Sequence, residues 1–163
     1  MDDLQDLYQE VILAHADSPV GKVDKISGDF AEPNVSVQDN PHMECSVSRQ
    51  YNPTCGDEIT LGVRMDGENV TEIVWEGQGC AISKASASIM TETFTGKTLE
   101  FTIEFYNAFH TMMYSKGAGV DDEMLDELGD ASVFEGVSKF PMRIKCALLC
   151  YEAFRAATRL INS

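Results

Sequence analysis

The sequence predicts an α+β fold in which a small, largely antiparallel three-stranded sheet is covered by helices. Two patterns support this fold class. Three short segments rich in β-branched and aromatic residues lie between residues 46 and 76, and amphipathic helical patterns flank them. With 163 residues and 44% apolar composition, the chain is long enough for one hydrophobic core. We therefore expect a single domain over residues 1–163.

The N-terminal region predicts a helix over residues 2–16, followed by a long surface segment. Apolar residues recur at helical spacing in the helix: Leu4, Leu7, Tyr8, Val11 and Ile12. The helix is expected to stop near Ser18-Pro19, because the residue before a proline is pushed out of the helical conformation. Residues 21–44 mix Gly, Asp, Asn, Pro and Ser without a sustained period, which predicts a flexible segment.

Three strands are predicted over residues 46–51, 58–65 and 70–76. The last two are joined around Asp66-Gly67, a pair typical of the tight turn in an antiparallel hairpin. This assignment puts Cys55 and Asp57 in the loop between the first two strands.

Two helices are predicted after the strands, over residues 82–94 and 99–114. Gly96 is placed to end the first of them. The second is expected to bury one apolar side: Phe101, Phe105, Phe109 and Met112.

The C-terminal third predicts an exposed connection and then a long helix. Residues 116–130 are acidic and contain glycine, which favours a surface segment with at most a short helix. Pro141 suits a first helical turn, because the N–H that proline lacks would be unpaired there. The last helix is therefore predicted over residues 142–160, with Cys146 in its first turns and Cys150 one turn later.

Composition and charge narrow the class of protein. The formal net charge of -15 would repel phosphate backbones, so we expect no nucleic-acid partner. No stretch approaches the roughly 18 to 20 apolar residues that span a bilayer, and the acidic start is unlike a secretory signal. Five cysteines, an odd number, favour free thiols in a reducing compartment over a disulfide framework. We therefore predict a cytoplasmic protein with no membrane partner.

Four side chains from three distant segments make a chemically complete metal site: Cys55, Asp57, Cys80 and Cys146. Zinc prefers four tetrahedral ligands drawn from thiolates, imidazoles and carboxylates. The spacing is not that of a zinc finger, because Cys80 and Cys146 follow Cys55 by 25 and 91 residues. Gly56 allows a turn that aims its two neighbours inward. Helix N-termini near Cys80 and Cys146 are expected to favour thiolates.

The remaining thiols and imidazoles are expected to lie outside this site. Cys45 and Cys150 are predicted to be small buried residues, although Cys150 is able to approach the site along its helix face. His15, His42 and His110 have the chemistry of zinc ligands, but none has a ligand partner nearby in the sequence.

Three strings surround the predicted ligands. They are Asn-Pro-Thr-Cys-Gly-Asp at 52–57, Gly-Gln-Gly-Cys-Ala-Ile-Ser-Lys-Ala-Ser-Ala-Ser at 77–88, and Gly-Val-Ser-Lys-Phe-Pro-Met-Arg-Ile-Lys-Cys-Ala-Leu at 136–148. Together they closely resemble the SufU branch of the IscU-like iron-sulfur assembly family. Lys145 stands where IscU proteins place a histidine before the last cysteine, which favours the SufU branch.

This resemblance implies a zinc-dependent sulfurtransferase of iron-sulfur cluster assembly, with Zn²⁺ bound by Cys55, Asp57, Cys80 and Cys146. In the family, sulfur arrives as the persulfide of a SufS-type cysteine desulfurase and passes toward a SufBCD-type scaffold. A histidine of the desulfurase takes one zinc position, which releases Cys55 as the thiolate that accepts the sulfur.

Two cationic residues and one difference from the family's sequence pattern bear on how this chain would dock with a partner protein. Arg143 and Lys145, close to the last cysteine, are able to stabilise anionic sulfur or contact the desulfurase; the alternative is that they are solvated positions at the start of a helix. The chain departs from the family after the first helix, where Ala16-Asp17-Ser18-Pro19 follows His15 in place of a Pro-Arg-Asn stretch.

Two other functions stay open. Three thiolates and a carboxylate also suit iron and sulfide, so an IscU-like scaffold on which a [2Fe–2S] cluster is assembled is the alternative. The other is a structural zinc domain whose four ligands are permanently closed.

Overall fold

A computed structural model describes residues 2–26 and 43–162 of the chain. In these ranges three antiparallel strands form one sheet, in the order β1 (Met43–Tyr51), β2 (Glu58–Asp66) and β3 (Asn69–Gln78). The helices are α1 (Asp2–Asp17), α2 (Ala81–Phe94), α3 (Leu99–Met113), α4 (Asp122–Leu128) and α5 (Pro141–Asn162), with a 3-10 segment over Gly129–Lys139. The predicted α+β class with a three-stranded antiparallel sheet is confirmed.

The sheet buries one face against the helices. Successive side chains of a strand point to opposite faces, and alternate residues of β2 are buried: Ile59, Leu61, Val63 and Met65. α5 crosses this face over β1 and β2, and α2 packs beside α5. α1 covers α2 from outside. The sheet, the α2–α5 pair and α1 therefore form successive layers.

An aromatic cluster fills the space between α2, α3 and α5. Its rings contact one another in edge-to-face, tilted and stacked arrangements: Phe94, Phe105, Phe109, Tyr151 and Phe154. Phe94 meets Phe105 edge-to-face, with ring centroids 5.3 Å apart. Such pairs stabilise a core beyond the area that they bury.

The first residues of the predicted flexible segment pair with the sheet. The backbone N–H and C=O of Trp75 pair with Gly21 O and Val23 N, at 3.0 and 2.8 Å. The Trp75 indole N–H donates to Val20 O at 2.9 Å. Residues 20–23 therefore cover the outer edge of β3, where unpaired backbone groups would otherwise be exposed. The rest of the predicted segment, residues 27–42, lies outside the described residues.

The helix ends predicted from sequence agree with the structure within a few residues. α2 ends before Gly96, and α5 begins at Pro141. The short helix allowed within residues 116–130 is α4, but its last residue Leu128 is buried, so the connection is not wholly exposed. The 3-10 segment that follows was missed, and it buries Phe134 and Val133. None of the helices in the described ranges is long and apolar enough to cross a membrane.

Candidate metal centre

The loop between β1 and β2 presents the first two predicted ligands. Asn52 closes this loop, because its backbone pairs with Asp57 O and Gly56 N, each at 2.8 Å. The Asn52 side chain also accepts a hydrogen bond from Thr54 N–H at 3.0 Å. Gly56 has φ +76°, a left-handed conformation that favours glycine. The loop leaves Cys55 exposed and Asp57 buried, as its tight turn requires.

Cys80 occupies the N-cap position of α2. Its backbone N–H points to Asp57 Oδ1 at 3.3 Å, and its Sγ lies 3.6 Å from Asp57 Oδ2. A Cβ added to Gly79 would lie 2.9 Å from Ser83 Cβ and 3.3 Å from Asp57 Cγ, which is closer than packed atoms allow. Glycine at position 79 therefore permits this approach.

Cys146 arrives from α5 and completes the group. Its Sγ lies 3.7 Å from Cys55 Sγ, across 91 residues of chain. The ligand atoms of Cys55, Asp57 and Cys146 all lie within 4.8 Å of one another. Cys80 is outside this mutually close trio but contacts it through Asp57. The structure thus brings all four predicted side chains to one place.

Ser83 is a member of the site that the sequence reasoning did not single out. Its hydroxyl donates a short hydrogen bond to Asp57 Oδ2 and also lies 3.7 Å from Cys80 Sγ. Burial opposes ionisation of the Asp57 carboxyl, but hydrogen bonds from Ser83 and from the neighbouring thiols outweigh it and lower the pKa of Asp57. The carboxylate is therefore fixed in its charged form and in one orientation.

In the metal-free chain, the surroundings of the Cys146 thiol oppose the effect expected of its helix N-terminus. Burial raises its pKa well above the ordinary value, and the Asp57 carboxylate and Cys80 add to the shift. In the chain without a bound metal, burial therefore outweighs any contribution of the helix N-terminus at Cys146. A cation beside Cys146 would have to displace its proton, because thiol ligands bind metals as thiolates.

The two cations predicted near the site lie on the exposed start of α5. Arg143 stacks over the Phe140 ring, with 5.4 Å from its guanidinium carbon to the ring centroid. Lys145 is exposed. In the described part of the chain, neither side chain forms a hydrogen bond or ion pair with the four candidate ligands, so both are adjacent to the site and not part of it.

The other thiols and imidazoles within residues 2–26 and 43–162 lie away from the site, as predicted. Cys45 is buried on β1, and the Cys150 thiol lies 3.4 Å from Ser86 Oγ in the core. The His15 Nδ1 is 2.8 Å from Ser88 Oγ, and His110 stacks on aromatic neighbours. His42 is outside the described residues.

Comparisons with known proteins agree with the geometry. The family described as "NifU-like N terminal domain" matches residues 7–147. The chain is 39% identical over 151 residues to the zinc-dependent sulfurtransferase SufU of Bacillus subtilis, covering 93% of this chain and 88% of that protein. It is 40% identical over 108 residues to the iron-sulfur cluster assembly scaffold protein IscU of Streptococcus pyogenes, covering 66% of this chain and 65% of that protein.

Two solved structures share the fold. One is a proposed iron-sulfur cluster assembly scaffold protein for the SUF system from Fervidobacterium islandicum, with TM-score 0.68 and 30% identity over 91% of this chain and 93% of the other. The second is the N-terminal part of a NifU-like protein from Brucella abortus, with TM-score 0.74 and 22% identity over 96% of this chain and 95% of the other. The motifs, the fold and the similarity agree, and the chain belongs to the family of NifU-like N-terminal domains.

Proposed function

We propose that this chain is a zinc-dependent sulfur-transfer protein of iron-sulfur cluster assembly. It accepts persulfide sulfur on Cys55 from a SufS-type cysteine desulfurase and passes it toward a SufBCD-type scaffold. The observation that carries the proposal is an exposed thiol, Cys55, held 3.7 Å from the buried Cys146 thiol and close to Asp57. We also propose a cytoplasmic location, where a reducing environment keeps these thiols available.

The donor set fits zinc. Three thiols and one ionised carboxylate converge, and zinc takes such ligands in a four-coordinate arrangement. We assign Cys55, Asp57, Cys80 and Cys146 as the ligands. A bound Zn²⁺ would supply positive charge that keeps the sulfur ligands ionised and would bring no redox chemistry of its own. Ser83 holds Asp57 toward the centre.

Exposure and position together assign the roles of the thiols. Cys146 is buried and fixed by its helix. Cys80 is exposed but is held at the start of α2 against Asp57 and Ser83, whereas Cys55 is exposed on a loop where a partner can reach it. The Cys55 thiolate attacks the outer sulfur of the desulfurase persulfide. A sulfur–sulfur bond forms on Cys55 as the desulfurase sulfur–sulfur bond breaks, and the electron pair leaves with the desulfurase thiolate. Cys55 then carries the persulfide.

Arg143 and Lys145 are proposed to assist from outside the ligand set. Both are exposed on the first turns of α5, the helix that also carries Cys146. Their positive charges suit the anionic sulfur of a persulfide or an acidic surface of the desulfurase. Their contribution is to attraction and orientation of the partner.

The Cys55→Ser variant tests the proposal. Wild-type protein is expected to stimulate cysteine turnover by a SufS-type desulfurase and to gain the mass of one sulfur atom. The variant should keep its fold and bound zinc but lose both effects. Cys45→Ala, which removes a buried thiol outside the site, should retain both. Full stimulation by Cys55→Ser would instead support a structural zinc domain.

A second function is favoured by the similarity to proteins named IscU scaffolds, including 28% identity over 156 residues to the protein of Thermotoga maritima. In this alternative, the same donors hold a [2Fe–2S] cluster during its assembly. Metal analysis of freshly purified protein separates the two. About one zinc per chain and no iron is expected. Iron in place of zinc, with a cluster that transfers intact to an apo-acceptor, would favour the scaffold.

A further inference from the structure

The thiols of Cys55 and Cys146 are placed to react with each other. Their sulfur atoms are 3.7 Å apart, and a disulfide bond needs an approach to about 2.0 Å. Among the described thiols, that of Cys146 is the one hydrogen-bonded to Cys55. The Cys80 thiol points instead to Asp57 and Ser83, at 3.6 and 3.7 Å. Cys146 is therefore the thiol best placed to attack sulfur carried by Cys55.

The approach of the two sulfurs is expected to come from the loop that carries Cys55. Cys55 is exposed, and the space beside the next residue is open, because a Cβ added to Gly56 would meet no atom within 4 Å. Cys146 is only 5% exposed, and its sulfur lies 3.7 Å from Met142 O in the preceding turn of α5. The helix therefore holds Cys146 still while the loop has room to shift.

We propose that Cys146 resolves a persulfide on Cys55 in the zinc-free chain, giving a Cys55–Cys146 disulfide and free hydrosulfide. The inference rests on the proposed function, which places the persulfide on Cys55. The Cys146 sulfur attacks the inner sulfur, and a sulfur–sulfur bond forms between the two cysteines. The bond to the outer sulfur breaks, and its electron pair leaves with that sulfur, which takes the Cys146 proton and departs as hydrosulfide.

The Cys146 proton is transferred in the same step. Burial raises the pKa of Cys146 in the zinc-free chain, so its thiol needs a base, and the anionic outer sulfur of the persulfide supplies one. Two groups held this close react faster than the same groups free in solution. A bound Zn²⁺ would occupy Cys146 as a ligand and so preserve the persulfide for transfer.

The electrons balance without an external oxidant. The two cysteine sulfurs are oxidised to a disulfide as the outer persulfide sulfur is reduced to hydrosulfide. The disulfide removes two of the four candidate ligands, Cys55 and Cys146, so the oxidised chain should not bind zinc again until both thiols are restored. The reaction that must follow is therefore thiol–disulfide exchange with a dithiol reductant.

Intact-mass spectrometry of the full-length chain tests this step. Zinc-loaded protein receives sulfur from a SufS-type desulfurase and cysteine, which adds about 32 Da, and is then separated from small thiols. With zinc retained, the added mass should persist. With a chelator, the mass should fall at least about tenfold faster, to about 2 Da below that of the reduced chain, with about one hydrosulfide released per chain. Peptide mapping should find the Cys55–Cys146 disulfide, and dithiothreitol should restore zinc binding.

Two variants, treated in zinc-free form with inorganic polysulfide, assign the attacking thiol without the desulfurase. Cys146→Ser should keep sulfur on Cys55 at least about tenfold longer than the wild-type chain. The matched control is Cys80→Ser, which also removes one candidate zinc ligand but keeps the reacting pair. It should form the disulfide and release hydrosulfide at nearly the wild-type rate.

Three results would overturn the proposal. The first is a zinc-free wild-type chain that forms no Cys55–Cys146 disulfide after polysulfide treatment. The second is equal loss of sulfur from Cys146→Ser and the wild-type chain. The third is a disulfide that maps to Cys80 or is spread over several cysteines. Failure of the proposed function has a different signature: the zinc-loaded chain would gain no sulfur from the desulfurase, although polysulfide still produced the Cys55–Cys146 disulfide.

Discussion

The metal centre and the aromatic cluster share two helices, α2 and α5, but different forces hold them. At the metal centre, glycines, a closed loop and hydrogen bonds through Asp57 bring two exposed thiols together with the buried Asp57 and Cys146. In the aromatic cluster, fully buried rings pack on one another. The difference indicates that the cluster supplies the stability of the fold. The metal centre depends on that support and on its ion.

The largest effect on stability is expected from the aromatic cluster. Phe94→Ala removes a ring that contacts Phe105, Tyr151 and Phe154, and it should lower the free energy of unfolding by about 3–5 kcal/mol. Urea denaturation of the zinc-loaded protein measures the loss. The folded variant should still bind about one zinc per chain. As a control, truncation of the exposed Ile103 to Ala should change stability by less than about 0.5 kcal/mol.

If Phe94→Ala also abolished zinc binding in protein that is still folded, the two regions would be one cooperative structure. The aromatic cluster and the metal centre would then not be held by separate forces.

Zinc removal should be the next largest effect, and it acts at the other region. When free zinc is about 100 times its dissociation constant, binding stabilises the folded chain by about 2.7 kcal/mol. A chelator should therefore lower the melting temperature reversibly. The zinc-induced shift should also decrease as pH falls, because protons compete for Cys146, whose pKa is raised by burial.

Asp57→Ala provides the control, since it removes a candidate ligand and the carboxylate charge and should make the melting temperature less sensitive to the chelator than that of the wild-type protein. An unchanged melting temperature of the wild-type protein after complete zinc removal would contradict this expectation.

Sequence patterns predicted the elements better than the contacts between them. The helix ends at Gly96 and Pro141 and the hairpin turn at Asp66-Gly67 are local signals, because backbone geometry at these positions depends on the residue itself. The pairing of residues 20–23 with Trp75 is a tertiary contact, and no local pattern encodes it. The 3-10 segment was missed because its three residues per turn do not produce the 3.6-residue period by which helices are recognised in a sequence.

At the candidate metal centre, too, the sequence predicted what depends on local residue chemistry and missed what depends on tertiary contacts. The four candidate ligands were predicted from thiol and carboxylate chemistry and from the family resemblance, and the structure brings them together. Ser83 was missed, although it stands three residues after Cys80, because a serine in the first turn of a helix is common and carries no metal-ligand chemistry. No sequence pattern indicated the burial of Cys146, which raises its pKa in the metal-free chain and which only the fold reveals.

Two serines on α2 extend the comparison, because one contacts the metal centre and the other contacts α5 in the buried core. Ser83 hydrogen-bonds Asp57, whereas the buried Ser86 donates to Ala147 O at 2.6 Å. Ser83→Ala should weaken zinc binding by about 10- to 100-fold, as loss of a group that orients a ligand does, with little change in stability of the zinc-free chain. Ser86→Ala should cost about 1 kcal/mol or more of stability and leave zinc affinity nearly unchanged.

Competition with a zinc-binding dye measures affinity, and urea denaturation in chelator measures stability. If both variants lost zinc affinity equally, Ser83 would have no special part in orienting Asp57.

The smallest effect is expected at alkaline pH and involves Cys150 in the core. Burial raises the pKa of this thiol from 9.0 to about 12. Below pH 9 the thiol is protonated in both states and does not oppose folding. Between pH 9 and 12 the unfolded chain loses the proton and the folded chain keeps it, so stability falls as pH rises. At pH 10 the cost is about 1.4 kcal/mol relative to pH 8.

Urea denaturation of zinc-loaded protein at pH 8 and pH 10 measures this cost. Cys150→Ala lowers stability at both pH values because it leaves a cavity, but its loss between them should be smaller than that of the wild-type protein by about 1.4 kcal/mol. Other groups that titrate in this range contribute to both proteins and cancel in the difference. Equal losses would mean that Cys150 ionises as readily in the folded chain as in the unfolded one. Its thiol would then be accessible to water, and the dry core that supports the metal centre would not extend to this turn of α5.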